Sequence, residues 1–176
     1  MNAASDNGTV IMTAEAMAGA VRALARDIAA AHDRLDNVVL LGILRRGRPL
    51  ADRLAEAIRE ITGLRPRVGS LATTLYRDDI RTGGASSGVY KGETHFEFDV
   101  NGTNVVLVDD VIFAGRTARA AMDELMDYGR PECIQLACLV DRGNRRLPIQ
   151  PDFLGRAIGT RPEDHVYVHL SEIDGE

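Results

Sequence analysis

Two short apolar runs, each followed by a polar turn and then a helical stripe, limit this chain to a small set of folds. The first run covers residues 38–44, is rich in branched residues and is too short to span a membrane as a helix, so it predicts a strand buried on both faces. A basic turn follows it, and then a helix that Gly63 closes. The second run, residues 105–108, leads through an acidic turn into another helix, which Gly129 and Pro131 end. Repeated strand, turn and helix units predict an α/β fold with a mostly parallel central sheet flanked by helices.

The remaining stretches complete this architecture. Thr13 is a candidate N-cap for a helix that ends near His32. Strands are predicted at residues 67–76, 134–140 and 166–170, with the last at an edge of the sheet. Apolar residues at three-and-four spacing mark the buried faces of the three helices: Met17, Val21, Leu24 and Ile28; Leu50, Leu54, Ile58 and Ile61; and Ala118, Ala121, Met122 and Leu125.

Two segments are expected to lie outside the regular structure. Residues 1–10 are small and polar and are predicted to be disordered. Residues 77–94 combine the glycine-rich stretch 83–88 with flanking charges, and long loops of this kind in compact domains are usually functional, which predicts a flexible lid loop. With 176 residues, the chain is expected to form a single domain over residues 1–176.

Composition excludes several classes of protein. The formal net charge of −5, the absence of Trp and an aromatic content of 5% argue against a protein whose whole surface holds nucleic acid. No apolar stretch reaches membrane-spanning length and no secretory signal is visible, which predicts a cytoplasmic protein without a membrane partner. Cys133 and Cys138 fit neither a zinc knuckle nor a CxxC motif, and we expect two buried free thiols.

Three polar clusters fall at the carboxyl ends of predicted strands, where open parallel sheets bind ligands: residues 45–47, 109–117 and 141–143. In the second cluster, a short small-residue loop enters a helix, and its N–H groups, the Thr117 hydroxyl and the helix dipole suit a phosphate monoester. Asp109 and Asp110 suit sugar hydroxyls, so the cluster describes a ribose 5-phosphate. Taken alone, the two carboxylates could equally cap a strand or chelate a metal. The glycine spacings of nucleoside-triphosphate and dinucleotide sites are absent.

The whole string from Val105 to Thr117 closely resembles the phosphoribosyl-diphosphate (PRPP) motif of type I phosphoribosyltransferases. Further stretches, at residues 74–79, 115–131, 139–143 and 147–149, resemble the pyrimidine operon regulators with uracil phosphoribosyltransferase activity, the PyrR family. The resemblance extends from about Met12 onward. It implies the type I phosphoribosyltransferase fold and the reaction of uracil with PRPP to give UMP and diphosphate.

The resemblance also implies a set of site residues. Asp109 and Asp110 would accept the ribose hydroxyls, and a basic turn would bind the diphosphate, which also carries Mg²⁺ without a protein cage of metal ligands. Alone, two arginines in such a turn more often form an exposed loop. The substrate-binding set is Arg45, Arg46, Gly47, Lys91, Asp109, Asp110, Val111, Ile112, Phe113, Ala114, Gly115, Arg116, Thr117, Arg142 and Val166.

Within that set, Ala114 to Thr117 would cradle the 5-phosphate, Arg142 would flank the base or its phosphoribosyl end, and Val166 would present backbone to the uracil edge. From the residues alone, Val166 reads as a core strand residue. The leaving diphosphate creates an oxocarbenium-like sugar, so the protein has to align the reactants, neutralise charge and exclude water. Arg77 and Lys91 are the best-placed cations of the lid, and Arg77 with Asp109 and Asp110 forms the implied catalytic set. Transfer to a base other than uracil remains an open alternative, because the motif identifies PRPP as the donor and says little about the acceptor base.

PyrR proteins also bind the leader mRNA of pyrimidine operons through a basic surface on a dimer, with uridine nucleotides such as UMP and UTP as co-regulators. Charge is segregated here: residues 142–161 carry a net +4 and residues 162–176 a net −5. The resemblance implies a homodimer or higher homo-oligomer. The candidate RNA-binding residues are Arg22, Arg26, Arg145 and Arg156.

The sequence departs from the family pattern at this surface. Asn144 replaces the usual His, Gln150 the usual Arg, and Arg22 and Arg26 replace a Thr and a His. In the diphosphate turn, Arg45 replaces the usual Thr. A transferase that has lost RNA binding therefore remains an alternative.

Overall fold

The computed structural model describes residues 8–73 and 93–175. Its α-helices and strands follow the chain in this order: α1 (Ala14–Ala31), β1 (Val38–Ile43), α2 (Gly47–Thr62), β2 (Arg67–Leu71), β3 (Asn104–Ile112), α3 (Arg116–Tyr128), β4 (Cys133–Asp141), β5 (Phe153–Ala157) and α4 (Ser171–Asp174). None of the helices in this described part of the chain has the length and apolar character needed to cross a membrane.

The five strands form one sheet in the order β2-β1-β3-β4-β5, and every neighbouring pair is parallel. Alternate residues of the central strands face opposite sides. Val38 and Leu40 pack with the buried faces of α1 and α2, whereas Val39, Leu41 and Ile43 pack with α3. The sheet therefore has helices on both faces, which confirms the predicted fold class.

The helix boundaries follow from local chemistry. The Thr13 side chain accepts a hydrogen bond from the Ala16 N–H at 3.2 Å, as an N-cap does, and α1 gives way to extended backbone at His32. Gly63 ends α2 in the left-handed conformation at φ 80°. Three of the four predicted stripe positions of α2 are buried. The predicted burial of Ile61 is wrong: its side chain lies in the last turn of the helix and is 48% exposed.

Several predicted strand boundaries need correction. β3 does not end at Asp109 but continues through both carboxylates to Ile112, because β4 keeps pairing with it as far as Asp141. The fifth strand is β5, which the sequence did not predict. Residues 166–170 are not a strand. Val168 and Leu170 are buried against the helices, so the alternation there reflects packing on the core rather than a sheet ladder.

Other predictions are confirmed in part or fall outside the described residues. β2 covers the start of the predicted strand 67–76 and ends at Leu71. Cys138 is buried as expected, whereas Cys133 is exposed, because it begins β4 at the margin of the sheet. Residues 1–7 and nearly all of the predicted lid, 77–94, lie outside the described part of the chain, so both assignments stay predictions.

Candidate phosphoribosyl site

The loop after β1 and the end of β3 lie against each other at the carboxyl edge of the sheet. Gly42 pairs with Val108, and a Cβ on Gly47 would lie only 2.2 Å from the Val108 carbonyl oxygen. A Cβ on Gly42 would lie 2.4 Å from the Gly47 carbonyl. Because both positions need glycine, the chain can fold back tightly after β1. This close approach brings the basic turn of residues 45–47 next to the acidic pair.

The acidic pair is braced by backbone N–H groups. Asp109 is buried, and its Oδ1 accepts a hydrogen bond from the Asp110 N–H at 2.9 Å. Oδ1 of Asp110 accepts from the Val111 N–H at 2.9 Å. Burial raises the pKa of the neighbouring Cys138 thiol well above its usual value, and the charge of Asp109 acts in the same direction. The thiol is therefore kept neutral beside the carboxylates.

The loop that follows enters α3 through a glycine. Gly115 is the N-cap at φ 89°, and because glycine has no side chain it cannot cap the first turn, where Arg116 and Thr117 lie. A helix start of this kind presents backbone N–H groups and a partial positive charge, which suits a phosphate. The structure thus places the predicted residues in one continuous stretch, from the end of β3 through a short turn into α3: Val111, Ile112, Phe113, Ala114, Gly115, Arg116 and Thr117.

The segment of residues 141–150, here called the bracing loop, holds this turn from outside. The Ala114 carbonyl accepts from the N–H groups of Arg146 and Leu147 at 3.0 and 3.1 Å. A Cβ on Gly115 would approach the Leu147 Cβ at 3.4 Å. The turn is therefore fixed by backbone hydrogen bonds and by close packing.

Arg145 is the centre of the bracing loop. Its guanidinium donates to the carbonyls of Ile149 and Phe113 at 2.8 and 2.9 Å, to Oδ2 of Asp141 at 2.6 Å and to the side chain of Gln150 at 3.2 Å. Arg145 and Asp141 are only 14% and 16% exposed. Burial acts to raise the pKa of Asp141, but the hydrogen bonds from Arg145 and Gly143 and the charge of Arg145 outweigh it and lower that pKa. The predicted RNA contact of Arg145 does not fit this placement, because the side chain is engaged inside the protein.

Arg142 is also turned inward. It is 5% exposed, and it donates to the Thr160 hydroxyl at 3.1 Å and to the Arg161 carbonyl at 3.0 Å. Its guanidinium carbon lies 4.1 Å from the centre of the Phe113 ring, a cation–π contact. The described structure thus shows Arg142 linking the phosphate turn to residues 160–162, and its expected contact with a base stays a prediction.

The basic turn is attached to the C-terminal segment. Arg46 donates from Nε to the Val168 carbonyl at 2.5 Å and from Nη2 to Oδ1 of Asp174 at 2.9 Å. Arg45 is exposed and lies beside a cleft of about 590 Å³ between the start of α2 and the C-terminal turn. The turn therefore presents Arg45 outward while Arg46 is held by the protein. Val166 is half-buried, and it lies two residues before Val168, whose carbonyl accepts a hydrogen bond from Arg46.

The candidate RNA residues divide into two kinds. Arg22 and Arg26 are exposed one helical turn apart on α1, and Arg156 is exposed on β5 and donates to the Ile11 carbonyl just before α1. Arg145 is engaged as described above. Asn144, at φ 61°, uses its side chain to hold the Thr160 carbonyl at 2.9 Å.

Two acidic residues that attach the C-terminal segment next to the basic turn were missed by sequence reasoning. Asp174 binds Arg46, and Glu172 forms two hydrogen bonds with Arg53 of α2. The acidic bias of the C-terminal segment was the available signal, but the sequence does not say which arginine each carboxylate meets. Arg77 and Lys91 lie outside the described residues.

The described residues hold no group of three or more His, Cys, Asp and Glu side chains that could bind a metal ion. Asp109 and Asp110 are the carboxylates nearest to the phosphate turn in the chain. One or two carboxylates match a Mg²⁺ ion that retains waters and arrives with a phosphate ligand.

Comparisons with known proteins agree with this geometry. The model of the phosphoribosyl transferase domain family matches residues 9–168. A relative named bifunctional protein PyrR, from Pelotomaculum thermopropionicum, is 51% identical over 153 residues, which cover 87% of this chain and 83% of that protein. Another of the same name, from a Synechococcus species, is 46% identical over 166 residues, covering 94% and 90%.

Solved structures show the same fold at low sequence identity. A hypoxanthine-guanine phosphoribosyltransferase from Bacillus anthracis superposes with a TM-score of 0.68 at 19% identity, covering 86% of this chain and 84% of that one. A hypoxanthine phosphoribosyltransferase from Staphylococcus aureus gives 0.68 at 16% identity, covering 94% and 85%. The shared fold, the family match and the close relatives lead to one conclusion: the chain belongs to the PyrR family of phosphoribosyltransferases.

Proposed function

We propose that the protein transfers the phosphoribosyl group of PRPP to uracil, forming UMP and releasing diphosphate. The observation that carries the proposal is the arrangement at the end of β3. A braced carboxylate pair leads through a short turn into a helix whose N-cap is a glycine, and the basic turn after β1 packs against the same strand end.

Each part of this edge matches one part of PRPP. Asp109 and Asp110 accept hydrogen bonds from the two ribose hydroxyls, and the first turn of α3 with Thr117 receives the 5-phosphate. The turn of residues 45–47 meets the diphosphate, with Arg45 supplying an exposed cation and the backbone of the turn supplying N–H groups. Mg²⁺ enters as part of the substrate, bound to the diphosphate and to at most one or two protein carboxylates.

The reaction needs no protein nucleophile. As the bond from C1 to the diphosphate breaks, positive charge develops on the sugar, and the base nitrogen forms the new bond. The protein aligns base and sugar and compensates the charge of the leaving diphosphate. The lid of residues 77–94, with Arg77 and Lys91, would exclude water from the site; this part of the proposal rests on the sequence alone.

Uracil is proposed as the acceptor because the chain is 43–51% identical to several proteins named bifunctional protein PyrR. A purine is the competing acceptor, because the motif at the end of β3 concerns the phosphoribosyl donor and leaves the base open. The backbone near Val166 is the proposed contact for the base edge.

A panel of bases tests the proposal. Wild-type protein with PRPP and Mg²⁺ is assayed with uracil, hypoxanthine, guanine and orotate, and the nucleotide products are separated by chromatography. We expect UMP as the main product. Asp109→Asn and Thr117→Ala should abolish it, whereas Asp123→Asn, a carboxylate change on the exposed face of α3, should leave it unchanged. A preference for hypoxanthine, or full activity of both site variants, would contradict the proposal.

We also propose that the protein binds pyrimidine leader mRNA in the presence of UMP or UTP and so regulates the operon. Support comes from Arg22, Arg26 and Arg156, which are exposed near the contact of α1 with β5. Phosphate contacts by such cations make binding salt-dependent. Without Arg145, the proposed surface is smaller than the sequence implied.

Gel-shift titrations with the leader RNA at several salt concentrations test this second function. Arg22→Gln with Arg26→Gln should weaken binding, while Arg34→Gln, an exposed arginine paired with Asp36, should not. An absence of binding at low salt with UMP present would contradict the proposal. The homo-oligomeric state and the cytoplasmic location stay predictions, and sedimentation equilibrium measures the first.

A further inference from the structure

Arg46 joins the diphosphate turn to the C-terminal segment through two different atoms. Its Nε binds the Val168 carbonyl at 2.5 Å and its Nη2 binds Oδ1 of Asp174 at 2.9 Å. The segment at the other end of this tie is well anchored, because Val168 and Leu170 are buried in the core beneath α1 and α2. A fixed part of the protein therefore holds the turn.

Asp174 is itself held in place for this contact. Its Oδ2 accepts a hydrogen bond from the Leu170 N–H at 2.8 Å, and its own N–H donates to the Leu170 carbonyl at 2.7 Å. The hydrogen bond from Leu170 lowers the pKa of Asp174, and the charge of Arg46 adds to the effect. The carboxylate is thus ionised and oriented, with one oxygen for the backbone and the other for Arg46.

We propose that Asp174 is a positioning residue for the diphosphate turn: it fixes Arg46, and through Arg46 it sets the turn against the end of β3. This inference rests on the proposed function, since the turn matters only if it receives a diphosphate. In this arrangement Arg46 is a structural tie whose charge is already compensated, and Arg45 with the turn backbone makes the ligand contacts.

A neighbouring ion pair provides a matched control. Glu172 lies on the same short helix α4 and binds Arg53 at 2.6 and 2.8 Å. Arg53 lies on α2, six positions after Gly47, so this pair fastens α4 to the helix rather than to Arg46. Loss of either pair removes one carboxylate contact from α4, but Asp174 is the carboxylate that binds Arg46.

The experiment compares wild type, Asp174→Asn and Glu172→Gln. Mg²⁺-diphosphate and Mg²⁺-PRPP are titrated calorimetrically without a base, and KM and kcat are then measured with uracil. Asparagine keeps the shape of the aspartate, but whichever way it turns, its NH₂ faces an N–H donor of Leu170 or Arg46. We expect Asp174→Asn to weaken Mg²⁺-diphosphate binding roughly tenfold, the effect of losing a charged hydrogen bond, and to raise the KM for PRPP more than it lowers kcat. Glu172→Gln should stay within about twofold, as an exposed pair does.

Whether Asp174→Asn weakens or tightens Mg²⁺-diphosphate binding tells whether Asp174 positions the turn or competes with the diphosphate for Arg46. If Arg46 were a direct diphosphate ligand that Asp174 holds back, Asp174→Asn would tighten binding, and that result would overturn the inference. Unchanged binding in Asp174→Asn, or equal weakening in both variants, would overturn it as well. A wild type that binds neither ligand would instead refute the proposed function.

A second variant keeps the test decisive if Asp174→Asn loses structure. Arg46→Lys retains the positive charge but cannot bind Val168 and Asp174 through two separate guanidinium nitrogens. It should weaken Mg²⁺-diphosphate binding to a similar extent, and full retention of affinity would overturn the inference. Circular dichroism and thermal unfolding confirm the fold of each variant.

Discussion

The two ligand turns at the carboxyl edge of the sheet are held in different ways. The phosphate turn between β3 and α3 is braced by backbone hydrogen bonds to Ala114, by close packing at Gly115 and by the largely buried Arg145–Asp141 pair. The diphosphate turn after β1 packs closely on β3 at Gly47, and its Arg46 also binds the Val168 carbonyl and Asp174; the side chains of this second ion pair are more exposed, at 32% and 24%. The first turn is thus braced by a neighbouring loop, whereas the second relies in addition on the contacts of one arginine with a distant segment. We therefore expect damage to the first to cost stability and damage to the second to cost affinity.

The largest effect is expected for Arg145→Gln. It leaves Asp141 without its cation and the Phe113 carbonyl without a donor, and we expect a loss of about 3 kcal/mol of unfolding free energy, the lower end for breaking a buried pair because both groups keep some solvent contact. Urea unfolding measures it. The control is Arg119→Gln, which breaks another pair spaced i,i+4, with Asp123, on an exposed face and should cost about 0.5 kcal/mol or less. Equal losses of unfolding free energy in the two variants would show that the Arg145–Asp141 pair stabilises the protein no more than an exposed ion pair does.

Gly115→Ala sharpens the contrast within the phosphate turn. Because Gly115 has a left-handed φ of 89° and lies close to Leu147, the added Cβ should lower the free energy of unfolding by about 1–2 kcal/mol. It should also raise the KM for PRPP several-fold. Gly63→Ala has a similar φ of 80° with open space around it, so it should lose similar stability and leave KM unchanged. If Gly115→Ala kept the wild-type KM for PRPP, the turn at Gly115 would take no part in PRPP binding.

Acid should loosen the attachment of α4 to α2. Hydrogen bonds from Arg53 lower the pKa of Glu172 from 4.5 to about 2. A folded-state pKa below the unfolded value gives stability that is present above about pH 4.5 and is lost as the pH falls toward 2. Glu172 is 44% exposed, so solvent screening makes the loss small. Unfolding free energies measured between pH 6 and pH 2 should fall less steeply in Glu172→Gln, and identical slopes would contradict this account.

The smallest effect on the fold is expected at the candidate RNA surface. Arg22 is exposed on α1, so Arg22→Gln should change stability by less than about 0.5 kcal/mol. It should reduce the salt dependence of RNA affinity by about one phosphate contact. An unchanged slope in filter-binding titrations would remove Arg22 from the interface.

Sequence patterns predicted the elements whose signals are local. The apolar runs, the Thr13 cap and the glycines at residues 63 and 129 predicted the helices and most of their ends. β5 was missed because its five residues alternate weakly, and it depends on pairing with β4. Residues 166–170 have a strand-like alternation, but their backbone serves Arg46 instead of a sheet partner.

The sequence predicted which residues form the candidate site better than it predicted which residues they contact. The sequence placed Asp109 to Thr117 and residues 45–47 at one edge, and the structure brings them together. The partners of the arginines could not be read from the chain. Arg46 meets a carboxylate 128 positions away, and Arg145 turns inward because Asp141 and the Phe113 carbonyl are within reach.

The central claim, that this sheet edge is a PRPP site, is tested most directly by a calorimetric titration of wild-type protein with PRPP and Mg²⁺ in the absence of base. The account predicts saturable binding of one PRPP per chain, competed by Mg²⁺-diphosphate. A titration without measurable binding under these conditions would contradict it.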